Sequence, residues 1–545
     1  MQALANHLLS LILFTPLGGA LLILLVGSRR VDAIRWMASG CAAATFALAI
    51  PLWFRYDPHG KTWQFAERGE LISAVGAYYV GVDGFSILLI LLTALVAWIA
   101  LVASWHEIRT RIKEFYALIL TLQAALLGVF MSLDFLQIFL FWAAALVAMH
   151  LLIRTWGEGH PPRSATRFTF YMLAASLAVL VGILVLYFLN HAETGVYTFD
   201  VTQFHTLRIS SAVQKWVFLA FLLGFGVTLA LFPLHSWLPD AQSDSPTAAS
   251  LLLAAVVLKL GTYGFVRVSL PILPDASREF APAMMVLALI AVAWGAVFAW
   301  VQRDWIRFVA YVSVSHMAFV TLGLFALTPV SVTGSMLHQI NHGLATAGLL
   351  LIVAGIRQRT GVRDLALAGG LWRATPALAT CFLLMTMALA GVPALNGFVG
   401  ERMIAQGVYG VSKLWAVVAV VAMVFVSAYM LWQCRRTMFG RVTSAPGTTF
   451  GDLTPRELAM FVPLVALSLW IGLRPAPFVG MLETSMGRVV ARVNPDYAPY
   501  VAQGSDCATP APPEPSAPPP TFLLTESCAD GSEGKSKPSP PEGGR

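Results

Sequence analysis

Charged residues are scarce in this chain. Asp, Glu, Lys and Arg make up 12% of its 545 residues, about half of the share usual in soluble proteins. Apolar residues make up 58%, and apolar runs of about 20 residues, long enough to cross a bilayer as a helix, recur along nearly the whole chain. This composition excludes a soluble globular enzyme. The net charge of +7 does not indicate nucleic-acid binding, because the basic residues fall in short loops between apolar runs.

Cysteine is also rare, and the five cysteines show no spacing typical of a metal site. We expect Cys41, Cys381 and Cys434, which lie in or beside apolar segments, to be packing residues. Cys507 and Cys528 lie near the C-terminus, and two alternatives remain open for them: a disulfide between the two, or two free thiols.

The two ends of the chain differ in composition. The N-terminus has no basic region before its first apolar stretch and no small-residue cleavage site, so we interpret that stretch as a retained helix. Residues 501–545 are rich in Pro, Ser, Gly and Glu, a composition typical of disorder.

The apolar runs predict an all-α polytopic membrane protein with about 14 transmembrane helices. Their predicted centres lie near Leu17, Ala43, Leu95, Leu122, Leu146, Val179, Leu223, Val256, Ile290, Val314, Leu344, Leu384, Val421 and Val465. We divide the chain into four parts: residues 1–79 (two helices and an extramembrane loop), 80–275 (a first half), 276–500 (a second half) and 501–545 (a Pro-rich tail).

Arg and Lys residues are concentrated in the odd-numbered loops, where each loop is numbered by the helix that it follows. The first loop carries Arg29 and Arg30, for example, and the ninth carries Arg303 and Arg307. Because cytoplasmic loops are rich in Lys and Arg, this pattern predicts that the odd-numbered loops are cytoplasmic. Both termini would then lie on the outer, periplasmic side of a bacterial cell membrane.

Two of the predicted helices are interrupted by proline. Pro233 lies in the seventh and Pro393 in the twelfth, so we predict that both helices are broken. The breaks are five helices apart, and an odd offset reverses direction, so we predict two inverted five-helix repeats. Paired interrupted helices in the two halves of a transporter indicate its ion site.

Two ionisable residues lie within or beside these apolar segments. A lysine at a helix centre costs roughly 2.5–3.5 kcal/mol, so Lys259, in the middle of the eighth helix, is a candidate proton carrier. The alternative is a lysine that extends to the membrane surface. Glu401 follows the second break and can take or release a proton; alternatively, it faces solvent or pairs with Arg402.

Histidines add a candidate relay. His316 lies in the tenth helix, and His338 and His342 share one face of the eleventh. Histidine suits a proton relay, although a hydrogen-bonded core histidine is the alternative for each of them. A metal is conceivable at this spacing, but no carboxylate or cysteine joins them in sequence, so we predict no metal site. His235, in the seventh-helix break, is a candidate for a water-lined path.

Two acidic residues accompany His235 near that break. Asp240 and Asp244 are candidates for the mouth of a path, but Asp244 or Ser245, ahead of Pro246, is better interpreted as a helix cap.

Several of these residues belong to a pattern that resembles the antiporter-like membrane subunits of respiratory complex I, and most of all the chain M branch of NADH-quinone oxidoreductase. The matching stretches are LHSWLPDA (234–241), SPTA (245–248), LKLGTYG (258–264), YVSVSHM (311–317), NHG (341–343) and GFVGE (397–401). The resemblance runs from about residue 80 to 475. It implies a proton path in which Lys259 is the central lysine, His316 and His342 connect, and Glu401 is the terminal carboxylate.

Two positions depart from the pattern that the resemblance implies. A glutamate on the fifth helix is replaced around Ala143, and a lysine on the seventh is replaced by Thr228. Losing both charges together avoids one buried charge without a partner, which would cost several kcal/mol. The absence of this pair favours a subunit that does not pump protons.

The resemblance implies a translocase subunit without a redox centre of its own. NAD, FMN, iron-sulfur clusters and quinone would bind to partner subunits, and this chain would contact other membrane-arm subunits and the lipid bilayer. Two alternatives remain: a structural spacer that does not pump, or a subunit of a related cation/proton antiporter or membrane-bound hydrogenase complex.

Overall fold

The computed structural model describes residues 7–72, 76–360, 370–439 and 451–497. Within these ranges, each predicted helix centre lies in an observed helix, which confirms the all-α membrane fold. The helices are α1 (Leu8–Leu25), α2 (Val31–Arg55), α3 (Gly84–Ala103), α4 (Ile112–Met131), α5 (Phe135–Trp156), α6 (Pro161–Thr194), α7a (Ser211–Thr228), α7b (Leu238–Asp244), α8 (Thr247–Ile272), α9 (Pro274–Trp300), α10 (Trp305–Phe325), α11 (Pro329–Thr360), α12a (Pro376–Leu389), α12b (Asn396–Val411), α13 (Lys413–Phe439), α14 (Pro455–Leu473) and α15 (Ala476–Val493). Short helices at Val201–Phe204, Leu371–Ala374 and Pro495–Tyr497 complete the set.

The segment after α2 forms an antiparallel hairpin, which the sequence analysis predicted only as an extramembrane loop. Its strands are β1 (Gln64–Ile72) and β2 (Gly76–Val82). The Glu67 carboxylate accepts the backbone N–H of Leu9 at 2.8 Å, so the hairpin supplies an acceptor for the free donors at the start of α1. Trp63 stacks on the Arg267 guanidinium at 4.3 Å, which places this segment over the end of α8.

Odd-numbered loops contact one another. Asp240, at the end of the seventh helix, accepts from Arg167 at the start of α6 at 2.5 Å and from Arg307 at the start of α10 at 3.0 Å. Arg359, at the end of α11, pairs with Glu457 of α14 at 2.8 Å.

Even-numbered loops also contact one another. The backbones of Asp134, after α4, and Asp200, after α6, form an isolated antiparallel β-bridge. Arg488 of α15, which follows α14, donates to the Gly60 carbonyl after α2 at 3.2 Å. Consecutive helices therefore run in alternating directions.

The centre of the molecule is formed by α8, α10 and α11. The most apolar stretch of α8 is buried throughout, whereas only a third of the corresponding stretch is buried in α2, α13 and α14. Outward-facing side chains such as Phe170 (73% exposed) and Trp216 (75% exposed) are large and apolar, as a lipid-facing surface requires.

Three helices are irregular where the sequence contains candidate functional residues. The seventh is interrupted between Thr228 and Leu238, and the twelfth between Leu389 and Asn396, which confirms both predicted breaks around Pro233 and Pro393. α8 is continuous but carries π-helical turns at Leu253–Val257 and Phe265–Ser269, on either side of the α-helical turn that begins with Lys259. The sequence analysis did not predict these turns.

Other expectations stay predictions. The two inverted five-helix repeats and the division at residues 79, 275 and 500 are not tested by the observed elements. Cys507 and Cys528 lie outside the described residues, so their pairing also stays open.

Candidate functional site

Lys259 lies at the centre of a buried polar cluster. Its side chain is completely buried, so the alternative in which it extends to the membrane surface is wrong. The Nζ atom donates to the Ala254 carbonyl at 2.7 Å and lies 2.8 Å from Nδ1 of His342. The amine thus hydrogen-bonds within its own helix and to α11.

The three histidines form a compact group between α10 and α11. His338 and His342 lie one turn apart on α11, and both face His316 of α10. The rings of His342 and His316 have centroids 5.7 Å apart, and Nδ1 of His316 is 3.1 Å from Nε2 of His338. All three side chains are at least 99% buried. The structure therefore brings the predicted relay residues together.

Glu401 closes the cluster from α12b. Its Oε1 atom is 3.9 Å from Nδ1 of His316, and its side chain is 15% exposed. The carboxylate packs over Gly391 in the helix break, where φ is +66° and a Cβ would lie 2.0 Å from Oε2. Only glycine combines this backbone conformation with this approach. The alternative in which Glu401 faces solvent is wrong, because the side chain is mostly buried.

Polar contacts between the helices hold the cluster in register. The Thr262 hydroxyl of α8 donates to Oε1 of Gln339 on α11 at 2.5 Å. The Asn341 amide of α11 donates to the Asn396 carbonyl, at the start of α12b, at 2.7 Å. Glycine at 400 lets α12b approach α11, because a Cβ there would lie 2.7 Å from Cβ of His338. The sequence analysis did not identify these contacts, because neutral polar residues in a helix give no specific signal.

The cluster has the geometry of a proton relay. Neutral imidazole can accept a proton on one nitrogen and release one from the other. Two of the links, Lys259 to His342 and His316 to His338, are at hydrogen-bond distance. Several atoms still lack a hydrogen-bond partner among the described residues: Nε2 of His316, Nδ1 of His338, Nε2 of His342 and Oε1 of Glu401. Such atoms can take part in further links as side chains rotate or water enters.

His235 lies apart from this cluster. It is buried, its ring stacks on Phe232 with centroids 5.7 Å apart, and its centroid is 6.4 Å from that of Tyr311. Its Nδ1 has no partner among the described residues. No hydrogen bond in the described part of the chain joins it to the Lys259 cluster.

The predicted caps of α8 are wrong. Asp244 accepts from the Ser164 hydroxyl at 2.6 Å and the Ser245 hydroxyl donates to the Ala241 carbonyl at 2.5 Å, so neither caps the helix. The backbone N–H of Thr247 instead donates to Glu107, from the loop after α3, at 3.0 Å. Burial raises the pKa of Glu107, and its hydrogen bonds to Thr247 offset only part of that effect.

The comparisons with known proteins fit this geometry. The family described as NADH:quinone oxidoreductase/Mrp antiporter, TM matches residues 132–427. The chain belongs to this family. It is 34% identical over 503 residues to NADH-quinone oxidoreductase subunit M of Rhodobacter capsulatus, covering 90% of this chain and 98% of that one. The predicted resemblance is confirmed.

Other members of the family agree in length and fold. Subunit M of Escherichia coli K12 is 34% identical over 468 residues, which cover 84% of this chain and 92% of that one. A chain of respiratory complex I from Thermus thermophilus with bound NADH has a TM-score of 0.81 at 26% identity, covering 89% of this chain and 100% of that chain. A chain of the Mrp complex from Dietzia sp. DQ12-45-1b shares the fold, with a TM-score of 0.77, 19% identity, and 91% and 99% coverage.

The surroundings of Ala143 and Thr228, where the resemblance implies an ion pair, are mainly apolar. The Thr228 hydroxyl is buried and donates to the Gly224 carbonyl of its own helix at 3.1 Å. Beside these positions, the rings of Trp142 and Phe225 have centroids 6.1 Å apart. The Phe225 ring also packs on Gly264 of α8, where a Cβ would lie 2.4 Å from it. Aromatic packing thus joins α5, α7a and α8 where the resemblance implies an ion pair.

Proposed function

We propose that this chain is a membrane-arm subunit of a proton-translocating NADH:quinone oxidoreductase and contributes one proton path. The observation that carries the proposal is the row of buried titratable groups from Lys259 through His342 and His316 to Glu401, in which Lys259 and His342 are at hydrogen-bond distance and the two later steps are bridged by side-chain rotation. Membership of the family and the likeness to subunit M proteins support the parent complex.

The path would pass protons between the Lys259 amine and the Glu401 carboxylate. His342 receives the proton from Nζ across 2.8 Å, and ring rotation presents it to His316. His316 lies within 3.9 Å of the carboxylate, so a small rotation of either side chain completes the transfer. Lys259 and Glu401 are the two ends of the path, and α8, α10, α11 and α12b position the four groups.

The region between α5 and α7a would contribute no proton path. Aromatic packing around Trp142 and Phe225 supports this proposal, because it leaves no titratable pair between α5 and α7a. The same observation favours a second candidate function, a structural spacer that does not pump. The cluster around Lys259 argues against the spacer. A lysine in an apolar core is costly, so such a residue is rare unless it has a function.

Redox chemistry would belong to partner subunits that bind NAD, FMN, iron-sulfur clusters and quinone. The cysteines in the described ranges, Cys41, Cys381 and Cys434, are free thiols. In a bacterial cell membrane, the basic odd-numbered loops would face the cytoplasm and both termini the outer side. The outward-facing apolar helix surfaces would contact lipid and other membrane-arm subunits.

Replacing Lys259 by methionine tests the path. Methionine has a similar length and carries no proton, so we expect the ratio of protons pumped to NADH oxidised to fall in vesicles that hold the intact complex. A positioned acid–base group contributes roughly 100-fold or more to the rate of proton transfer, and this contribution would be lost. Lys413→Met is the matched control, since Lys413 is exposed at the start of α13.

An unchanged ratio in Lys259→Met, with the chain present in the complex at its normal level, would favour the spacer. Co-purification of subunits from a different kind of complex would show that the proposed parent complex is wrong. The proton path would then be tested in that other complex.

A further inference from the structure

Two of the buried histidines and Glu401 form a group that the proton path does not fully explain. His316, His338 and Glu401 come from α10, α11 and α12b, and one ligating atom from each lies within 4.8 Å of the other two. The fold therefore joins a carboxylate to the histidine pair, which the sequence analysis did not foresee. His338 is not needed in the line from Lys259 to Glu401.

The distances suit a small tetrahedral metal ion. Ligands at about 2.0–2.2 Å from a tetrahedral Zn²⁺ lie about 3.3–3.6 Å from one another. Nδ1 of His316 is already 3.1 Å from Nε2 of His338 and 3.9 Å from Oε1 of Glu401. Changes of a few tenths of an ångström bring these two edges to the tetrahedral value, and the third edge, between His338 and Glu401, is at most 4.8 Å and shortens as the Glu401 side chain rotates.

A carboxylate oxygen without a hydrogen-bond partner also points to a ligand. Oε1 of Glu401 is buried without a hydrogen-bond partner among the described residues, although the side chain as a whole keeps 15% of its surface exposed. The backbone holds the three groups together, because Gly391 and Gly400 allow contacts that a Cβ would prevent. A cation would reach the site from the partly exposed side of Glu401.

The donor set selects the metal. Two imidazole nitrogens and one carboxylate oxygen, with a fourth position left for water, are the ligands of open zinc sites. Mg²⁺ and Ca²⁺ prefer oxygen ligands throughout, so they suit this group poorly.

We propose that His316, His338 and Glu401 bind a Zn²⁺ ion that blocks proton transfer between His316 and Glu401. Binding depends only on the three ligands, whereas the block rests on the proposed proton path. When Zn²⁺ is bound to both His316 and Glu401, neither group can pass a proton to the other. The site would make proton pumping by this complex reversibly sensitive to zinc.

Zinc content of the purified complex tests binding. The complex is stripped with a chelator, equilibrated with micromolar Zn²⁺, passed through a desalting column and analysed by mass spectrometry for metal. We expect the native complex to retain one more zinc ion than complexes with His338→Gln or Glu401→Gln. His191→Gln, which removes a histidine stacked on Tyr197 outside the cluster, should retain as much zinc as the native complex.

Proton pumping in vesicles tests the block. Each preparation is measured with and without zinc, so a variant is compared with its own zinc-free ratio of protons to NADH. Zinc should lower this ratio in the native complex, a chelator should restore it, and the ratio for His338→Gln should not respond to zinc.

Equal zinc content in the native complex, His338→Gln and Glu401→Gln would overturn the site and indicate only adventitious metal. Two variants are used because either one alone could disturb assembly of the complex. The amount of this chain in the purified complex measures assembly. A zinc difference with no effect on native pumping would overturn the block and place the proton path elsewhere, while the site itself would stand.

Discussion

Glu107 is the residue whose surroundings are least expected from the sequence. Its side chain lies in the loop after α3, and one carboxylate oxygen accepts the N–H of Thr247 at 3.0 Å, at the start of α8. The other oxygen is buried without a hydrogen-bond partner among the described residues. Burial raises the pKa of Glu107 above its ordinary value of 4.5, so the ionised form is disfavoured in the folded state.

Replacing Glu107 by glutamine should change how stability depends on pH. Because its pKa is raised in the folded state, the carboxyl makes its full contribution to the stability of the fold at pH values below its unfolded pKa. It loses that contribution as pH rises through the folded pKa. Glutamine keeps an acceptor for Thr247 and stays neutral. We expect Glu107→Gln to match the native chain near about pH 4 and to gain stability over it as pH rises toward about pH 8.

The measurement is the temperature at which half of this chain in the detergent-solubilised complex has become insoluble. It is taken at several pH values across that range. Glu114→Gln, at an exposed glutamate on the first turn of α4, is the matched control. A difference between native and Glu107→Gln that stays constant over the range would contradict the argument.

At this scale the sequence singled out the residues that lie at the centre of the cluster, but not those that support it. Lys259, His316 and His342 stand out because ionisable residues are rare in apolar helices. Glu107 does not stand out, since it lies among other charged residues in a loop, and its partner Thr247 is distant in sequence. The same reason hid the approach of Glu401 to His338.

The break between α12a and α12b positions the Glu401 carboxylate at the end of the proposed proton path. Gly391 lies in the break with φ of +66°, and the Glu401 carboxylate occupies the space where its Cβ would be. A non-glycine residue in this conformation costs about 1–2 kcal/mol, and a Cβ 2.0 Å from Oε2 forces the carboxylate to move.

Gly391→Ala should therefore lower pumping while the chain is still incorporated. Moving Oε1 away from His316 breaks the last step, so the ratio of protons pumped to NADH oxidised is expected to fall. Gly410→Ala, on α12b where a Cβ would meet nothing within 4 Å, is the matched control. Normal pumping in Gly391→Ala would mean that the position of Glu401 does not limit transfer.

The packing of α7a against α8 leaves no space for the ion pair that the resemblance implies at Ala143 and Thr228. Phe225 fills the space against Gly264, and Thr228 satisfies its hydroxyl within its own helix. A single charge restored to this apolar region would lack a partner, at a cost of about 3–5 kcal/mol.

Restoring both charges should be tolerated better than restoring one. We expect Ala143→Glu and Thr228→Lys each to reduce the amount of chain in the membrane, and the double variant to recover part of it. Thr228→Val, which removes only the hydroxyl, should accumulate close to the native level. Quantitative immunoblots of membranes measure this, and a double variant no better than the worse single would refute the pairing.

Elements were predicted more reliably than their irregularities. Apolar runs fix each helix centre, and proline marks both breaks, because each is a strong local signal. The β1–β2 hairpin carries Glu67, Arg68 and Glu70 in place of a clear alternation of polar and apolar residues, so its pattern is weak. The π-helical turns of α8 depend on packing with neighbouring helices, which a single apolar run does not encode.

The whole molecule is organised by the direction of its helices. Contacts among odd-numbered loops and among even-numbered loops show that the helices alternate, but these contacts do not say which side is cytoplasmic. The side matters for the proposed path, because it decides from which compartment Lys259 and Glu401 exchange protons. The distribution of Arg and Lys predicts that the ninth loop is cytoplasmic.

Single cysteines should report this orientation. In a background without the native cysteines, Lys61→Cys in the second loop and Arg303→Cys in the ninth both introduce thiols at exposed positions. We expect a membrane-impermeant maleimide to label Lys61→Cys in intact spheroplasts and Arg303→Cys only after permeabilisation. The opposite result would invert the molecule and exchange the two compartments in the proposed path. Labelling of both thiols in intact cells would contradict the alternation that the loop contacts indicate, since the two loops would then share one side.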